Sequence, residues 1–222
     1  MRSLIVFCSL MMALLFVTTS NAALVFETEP NDDLTTAQNI DPFFSLDFDN
    51  DIGTSTINTS TSIPHVTVNG TGESDSNNLT YDVYSFTVAS PGLAYFDIDY
   101  GYTFIDLGDL GNFDSYLRLY NQSGSLISFN DDSYSTDNGT VSTFDSFVEY
   151  NFKTTGTYYI EVGRFPAGNP VSTDATYLLH ISIENHPLQD EPIPTLSEWG
   201  VIIMSILLAC SSIFIYRRKW NS

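Results

Sequence analysis

Glu27, Glu29 and Asn31 are spaced by two along the chain, and Asp32 follows directly. On an extended segment alternate side chains project to one side, so this spacing aims two carboxylates and an amide oxygen at one point. Such a set suits calcium, which takes about 6–8 oxygen ligands at roughly 2.3–2.6 Å. Carboxylates gathered without an ion repel one another, so a bound metal would stabilise the fold by linkage. The other reading of this motif is a solvated acidic arm. A second acidic group is Asn130-Asp131-Asp132, with Asp114 and Asp145 as further donors. It reads either as a second calcium site or as acidic turns, since Asp and Asn favour turns through local hydrogen bonds. No stretch has the ligand spacing of an EF-hand loop.

Catalytic chemistry finds little to work with. The histidines are His65, His180 and His186, with no His-Glu-x-x-His zinc motif and no Gly-x-Ser-x-Gly elbow. Cys8 and Cys210 both lie in apolar terminal runs. The region between them therefore has no thiol for nucleophilic chemistry, zinc or a disulfide. Carboxylate pairs of the kind glycosidases use are present, but any chain this acidic supplies them. The expectation is a protein that is not an enzyme.

The elements that position these residues read as strands. Tyr84, Phe86 and Val88 alternate with Val83, Ser85 and Thr87. The same period of two recurs at Ala94–Ile98, Tyr116–Tyr120, Tyr158–Val162 and Tyr177–Ile183. Further candidates are Ile63–Val68, Leu126–Asn130 and Ser146–Lys153. Ser90-Pro91-Gly92, Gln122-Ser123-Gly124, Asn138-Gly139 and Thr155-Gly156 punctuate them as turns. No apolar period of a long helix runs through this region. The pattern predicts an all-β sandwich over residues 24–186, with 39–62 irregular. Outward strand positions carry Tyr95, Tyr116, Tyr120 and Tyr159, and Tyr100 and Tyr102 lie nearby. These rings read either as sugar-stacking platforms or as ordinary cross-strand packing.

The chain has 222 residues and a net charge of −20, from 27 acidic and 7 basic side chains. All the acids lie between the two apolar runs, with only Arg118, Lys153 and Arg164 to offset them. Phosphate neutralisation needs a basic surface, so nucleic acid is excluded as a partner. The aromatic content of 14% argues for a packed core rather than a disordered acidic chain.

The ends carry addresses. Arg2, the apolar run Leu4–Val17 and the small residues Ser20 and Ala22 form a secretory signal over residues 1–22, with cleavage after Ala22 or Ala23. At the other end Trp199 and Gly200 precede the apolar run Val201–Tyr216. Residues 199–216 suffice for one transmembrane helix across roughly 27–30 Å of hydrocarbon. Arg217, Arg218 and Lys219 in the tail, 217–222, place it in the cytoplasm, and the acidic region is then outside. Residues 187–198, with Pro187, Pro192 and Pro194, read as a linker.

Ile193-Pro194-Thr195-Leu196-Ser197-Glu198-Trp199-Gly200, the apolar helix and the basic tail together resemble the IPTL-type C-terminal sorting signal of Gram-negative bacteria. The resemblance implies recognition by an exosortase-like membrane transpeptidase. It also implies a membrane-anchored precursor that moves to the cell surface or matrix, and an association with extracellular polysaccharide. The alternative is a plain type I membrane anchor.

The middle is similar to the bacterial pre-peptidase C-terminal domain and its DVUA-type relatives. The blocks that carry the likeness are Glu27–Asp32, Tyr81–Phe86, Phe113–Tyr120, Gly124–Asp132, Gly156–Val162 and Ala175–Leu179. This resemblance implies a jelly-roll-like, non-catalytic β-sandwich that binds calcium. Glu27, Glu29, Asn31 and Asp32 match the family's N-terminal ligands, Asp82 and Asp75 stand as partner acids, and a backbone oxygen of Tyr177 completes the shell. The combined expectation is a calcium-stabilised surface or matrix protein. A carbohydrate- or polymer-binding module is the first alternative, and a hydrolase the second.

Overall fold

The computed structural model describes residues 24–54, 57–72, 81–99, 114–133, 142–167 and 169–188, with the helical positions Ile203, Ser205, Ile206, Leu207, Ala209, Cys210 and Tyr216. The signal segment, Asp75 and the sorting residues Ile193 to Gly200 lie outside the described residues. The chain divides into one unit, Met1–Leu188, and a second, Gln189–Ser222. Among the described residues no helix is long and apolar enough to cross a membrane.

The first unit is built from strands β1 (Leu24–Phe26), β2 (Gln38–Asn39), β3 (Gly53–Thr54), β4 (Ile57–Asn58), β5 (His65–Thr71), β6 (Asp82–Val88), β7 (Gly92–Asp99), β8 (Ser115–Tyr120), β9 (Leu126–Asn130), β10 (Phe147–Phe152), β11 (Gly156–Arg164) and β12 (Thr176–Ile183). One five-stranded sheet, sheet A, has the order β1-β5-β12-β7-β10. The other, sheet B, has the order β2-β6-β11-β8-β9, and β3 and β4 pair separately. Pairing is antiparallel except at two edges, where β1 runs parallel to β5 and β2 parallel to β6.

The period of two explains the layers. Tyr84, Phe86 and Val88 of β6 face one core with Leu117, Leu119, Ile160 and Val162 of sheet B. Opposite them stand Val66, Val68, Ala94, Phe96, Ile98, Leu179 and Ile181 of sheet A. Rings interdigitate across the gap. Phe86 lies 5.4 Å from Phe96 and 6.0 Å from Phe152, and Phe152 lies 4.5 Å from Tyr158. Burying each such side chain contributes about 1.5–3 kcal/mol, which replaces what disulfides supply in small exported domains.

Two features depart from the strand pattern. The segment expected to be irregular contains a short 3-10 turn at Asp41–Phe43 and the β3–β4 pair. Asp41 fixes that turn to β6, accepting hydrogen bonds of 2.7 Å from both the amide and the hydroxyl of Thr87. In addition, His65 and His180 occupy outward positions of sheet A and yet are buried. Alternation predicts which face a side chain takes, but not whether another segment covers that face.

Candidate metal centre

Strand pairing brings the N-terminal acids to one end of the sandwich. β1 adds to the edge of β5, and the Glu27 amide extends that ladder by donating to the carbonyl of Asn69 at 3.0 Å. The Glu27 carboxylate then accepts from the Thr71 amide at 2.7 Å, from Asn31 Nδ2 at 2.9 Å and from the Tyr84 hydroxyl at 3.1 Å. Glu29 accepts from the Asn31 amide at 2.9 Å. The Asn31 carbonyl in turn accepts from the Val83 amide at 2.9 Å. This ties the N-terminal segment of sheet A to the start of β6 in sheet B.

Asp82 lies at that start. One ligand oxygen from each of Glu27, Glu29 and Asp82 falls within a span of 4.8 Å. Asn31 and Asp82 are fully buried, at 0% exposure. Asn31 Oδ1, Asp32 Oδ1 and Asp82 Oδ1 are buried oxygens with no hydrogen-bond partner. Buried polar atoms are nearly always satisfied, so three orphaned acceptors beside a carboxylate trio form the donor set a hard cation fits. A pocket of about 340 Å³ lined by Phe26, Glu27, Glu29, Asn69 and Thr71 opens beside them.

The electrostatics agree. Burial pushes the Asp82 carboxyl well above the ordinary carboxylate value, and the Glu27 charge adds to the rise. Two phenols support it from the core. Tyr177 donates to Asp82 at 2.7 Å and lies 2.8 Å from the Tyr84 hydroxyl. Burial raises both phenols well above their ordinary value, so they remain protonated donors. The Tyr177 ring crosses β5 at Gly70, where a Cβ would overlap it. Tyr177 thus reaches the cluster through its hydroxyl, whereas the resemblance pointed to its backbone oxygen. Neither this role nor that of Tyr84 was legible, because both tyrosines sit in apolar registers that read as core.

The second acidic group gathers less tightly. Asp114 precedes β8, Asn130 ends β9, and Asp145 is buried just before β10. Burial raises the Asp114 carboxyl, with the charges of Asp132 and Asp131 adding to it. Asp114 Oδ1 and Asn130 Oδ1 are buried without hydrogen-bond partners. Even so, Glu27, Glu29 and Asp82 are the trio that converges to ligand distance among the described residues.

The outer face of sheet B carries a different constellation. The Arg118 guanidinium lies 5.0 Å from the Tyr81 ring and 5.8 Å from the Tyr116 ring, and it pairs with Glu161. Burial and the Glu161 charge push the neighbouring Tyr120 phenol up to about 12. Phe129 stacks on Tyr116 at 5.9 Å and is 58% exposed, so it presents an open ring to solvent.

Residues 191–211 match the IPTL-CTERM motif. The signature read at Ile193–Gly200 falls inside that match. No curated protein matches the chain. Among solved structures the chain is similar to the pre-peptidase C-terminal domain of a collagenase from Bacillus anthracis. The identity is 18% and the TM-score 0.32, over 54% of this chain and 89% of that one.

Proposed function

We propose that this is an exported, non-enzymatic surface or matrix protein whose β-sandwich is locked by calcium. An exosortase-like membrane transpeptidase recognises its C-terminal segment, and the sandwich then acts as a structural component near extracellular polysaccharide. The sorting half of this reading rests on the motif match at residues 191–211. The calcium half rests on one observation, the convergence of Glu27, Glu29 and Asp82 beside the orphaned oxygens of Asn31, Asp32 and Asp82. Those residues would hold the ion, with the Tyr177 hydroxyl fixing the orientation of Asp82. The ion would neutralise the cluster and cross-link the N-terminal segment to both sheets.

Calorimetry of the purified chain with calcium, joined to thermal melts in calcium and in chelator, tests it. Binding with a raised melting temperature, lost in Glu29→Ala, supports the reading. No heat and no shift would reduce the motif to a solvated arm.

A carbohydrate- or polymer-binding role has one specific feature in its favour, the exposed Phe129 ring stacked on Tyr116, whose ring also lies 5.8 Å from the Arg118 guanidinium. Aromatic faces with a polar centre suit sugar rings. Retention of the chain on immobilised polysaccharide that survives Phe129→Ser unchanged would remove this alternative.

A further inference from the structure

The outer face of sheet A holds a buried polar layer that the metal centre does not use. His65 and Thr67 of β5, His180 and Ser182 of β12, and Asp97 and Asp99 of β7 are each exposed by 5% or less. Register sets them side by side, with Ser182 opposite His65 and His180 opposite both Thr67 and Asp97. His180 sits between the Thr67 hydroxyl, 2.9 Å from Nδ1, and the Asp99 carboxylate, 3.1 Å from Nε2.

The described residues of segment 45–64, 45–54 and 57–64, cover the His65 end of this layer. Ser45 and His65 exchange backbone hydrogen bonds of 2.9 and 3.0 Å. Thr67 donates to Asp49 of the segment at 3.5 Å. Ile52 and Ser60 of the segment are buried. His65 Nδ1 lies 3.4 Å from the carbonyl of Ile63, and its Nε2 is buried with no hydrogen-bond partner. The segment therefore rests on a fully buried titratable ring whose polar neighbours in the strap are the backbone of Ile63 and Ser60.

We propose that segment 45–64 is an acid-released strap: protonation of His65 loosens it from sheet A and opens the polar layer to solvent while the rest of the sandwich stays closed.

Burial under the strap favours the neutral imidazole, although the backbone of Ile63 and Ser60 favours the charged ring. Desolvation is the largest influence on His65 and holds it below its ordinary value of 6.5. Asp49 of the strap favours the charged ring, and His180 of β12 opposes it. Asp97 and Asp99 of β7 lie across β12, where Asp99 is engaged with His180. The closed state thus carries a lowered value and the open state the ordinary one. Closure is fully favoured above that ordinary value and loses the advantage as pH falls below it.

Hydrogen exchange on the full chain in calcium, corrected for intrinsic rates, tests the strap at about pH 7.5 and about pH 5. Amides of segment 45–64 should exchange roughly tenfold faster at the lower pH, with β6 and β11 unchanged. His65→Gln should abolish the difference. Should that variant fail to fold, Asp49→Asn serves, because removing the carboxylate that favours the charged ring should widen the ratio between the two pH values. Equal protection at both pH values overturns the proposal. So does acceleration that persists in His65→Gln, an unchanged ratio in Asp49→Asn, or acceleration spread evenly over the sandwich.

Discussion

Asp82→Asn should change stability with opposite signs in chelator and in calcium. The Asp82 side chain is fully buried, and its carboxyl is held above the ordinary range by desolvation and by Glu27. A carboxyl whose folded value exceeds its unfolded one lowers stability at every pH above the unfolded value. Two ionised carboxylates at the 4.8 Å span of this cluster repel by about 3–4 kcal/mol at an effective dielectric constant of about 20. Asparagine keeps the shape and removes the charge, and its Oδ1 can still accept from Tyr177, which donates to Asp82 at 2.7 Å. In chelator the variant should therefore melt above the parent. Calcium at about a hundred times its Kd stabilises by about 2.7 kcal/mol, which in a domain of this size raises Tm by roughly 5–10 °C. The variant, with one carboxylate fewer, should gain much less, and the two melting temperatures should cross. Circular dichroism melts near neutral pH, with and without calcium, read this directly. If Asp82→Asn lowers Tm equally in both conditions, the cluster is a hydrogen-bonded turn that no ion occupies.

Two further outcomes follow from the same arrangement. Gly70→Ala should destabilise the fold by about 1–3 kcal/mol, because a Cβ at Gly70 meets the Tyr177 ring. It should also weaken calcium binding by moving the Tyr177 hydroxyl off Asp82, so calorimetry that shows full affinity in a destabilised variant would contradict the role given to Tyr177. Replacing Pro194 and Trp199 within the matched motif should leave the chain in the membrane fraction of its host, and surface delivery equal to the parent would argue against sorting by this segment.

The strands were legible because alternation carries them. Asp82–Val88, which alternates, and Leu126–Asn130, which was only a further candidate bounded by the turn Gln122-Ser123-Gly124, both match the observed strands. β1 and β2 were missed, being three and two residues long and too short to show a period. At the metal centre, spacing revealed Glu27, Glu29 and Asn31, which stay together even though the strand ends at Phe26 and the chain bends at Glu29. Asp82 needed the family resemblance, because a single acid at a strand start says nothing of its neighbours. Tyr84 and Tyr177 were silent for a different reason. Their alternation reads as core, and only the three-dimensional path of the ring across Gly70 shows where each hydroxyl ends. The burial of His65 and His180 was likewise not marked in the sequence, since a covering segment leaves no trace on the strand beneath it.

The region between the apolar runs contains no cysteine, so no disulfide cross-links it, and the proposed ion would supply a cross-link of another kind. The donors come from two distant parts of the chain, Glu27 to Asp32 near the start and Asp82 at the head of β6. The proposed ion would close the long loop between them, and loop closure grows costlier with length. The element most dependent on it is β1, whose three residues pair with β5 along one edge. Leu24 and Phe26 leave their side chains largely in solvent, at 49% and 67% exposure, so Val25 is the one side chain of β1 that burial holds. Chelation should therefore release residues 24–32 well before the sandwich melts, through local opening of a weakly held edge. Limited proteolysis at a temperature far below Tm would then cut near Phe26 in chelator and spare it in calcium. Equal protection of this segment in both conditions would mean that the hydrogen bonds of Glu27 and Asn31 suffice, and that the ion contributes nothing to the fold.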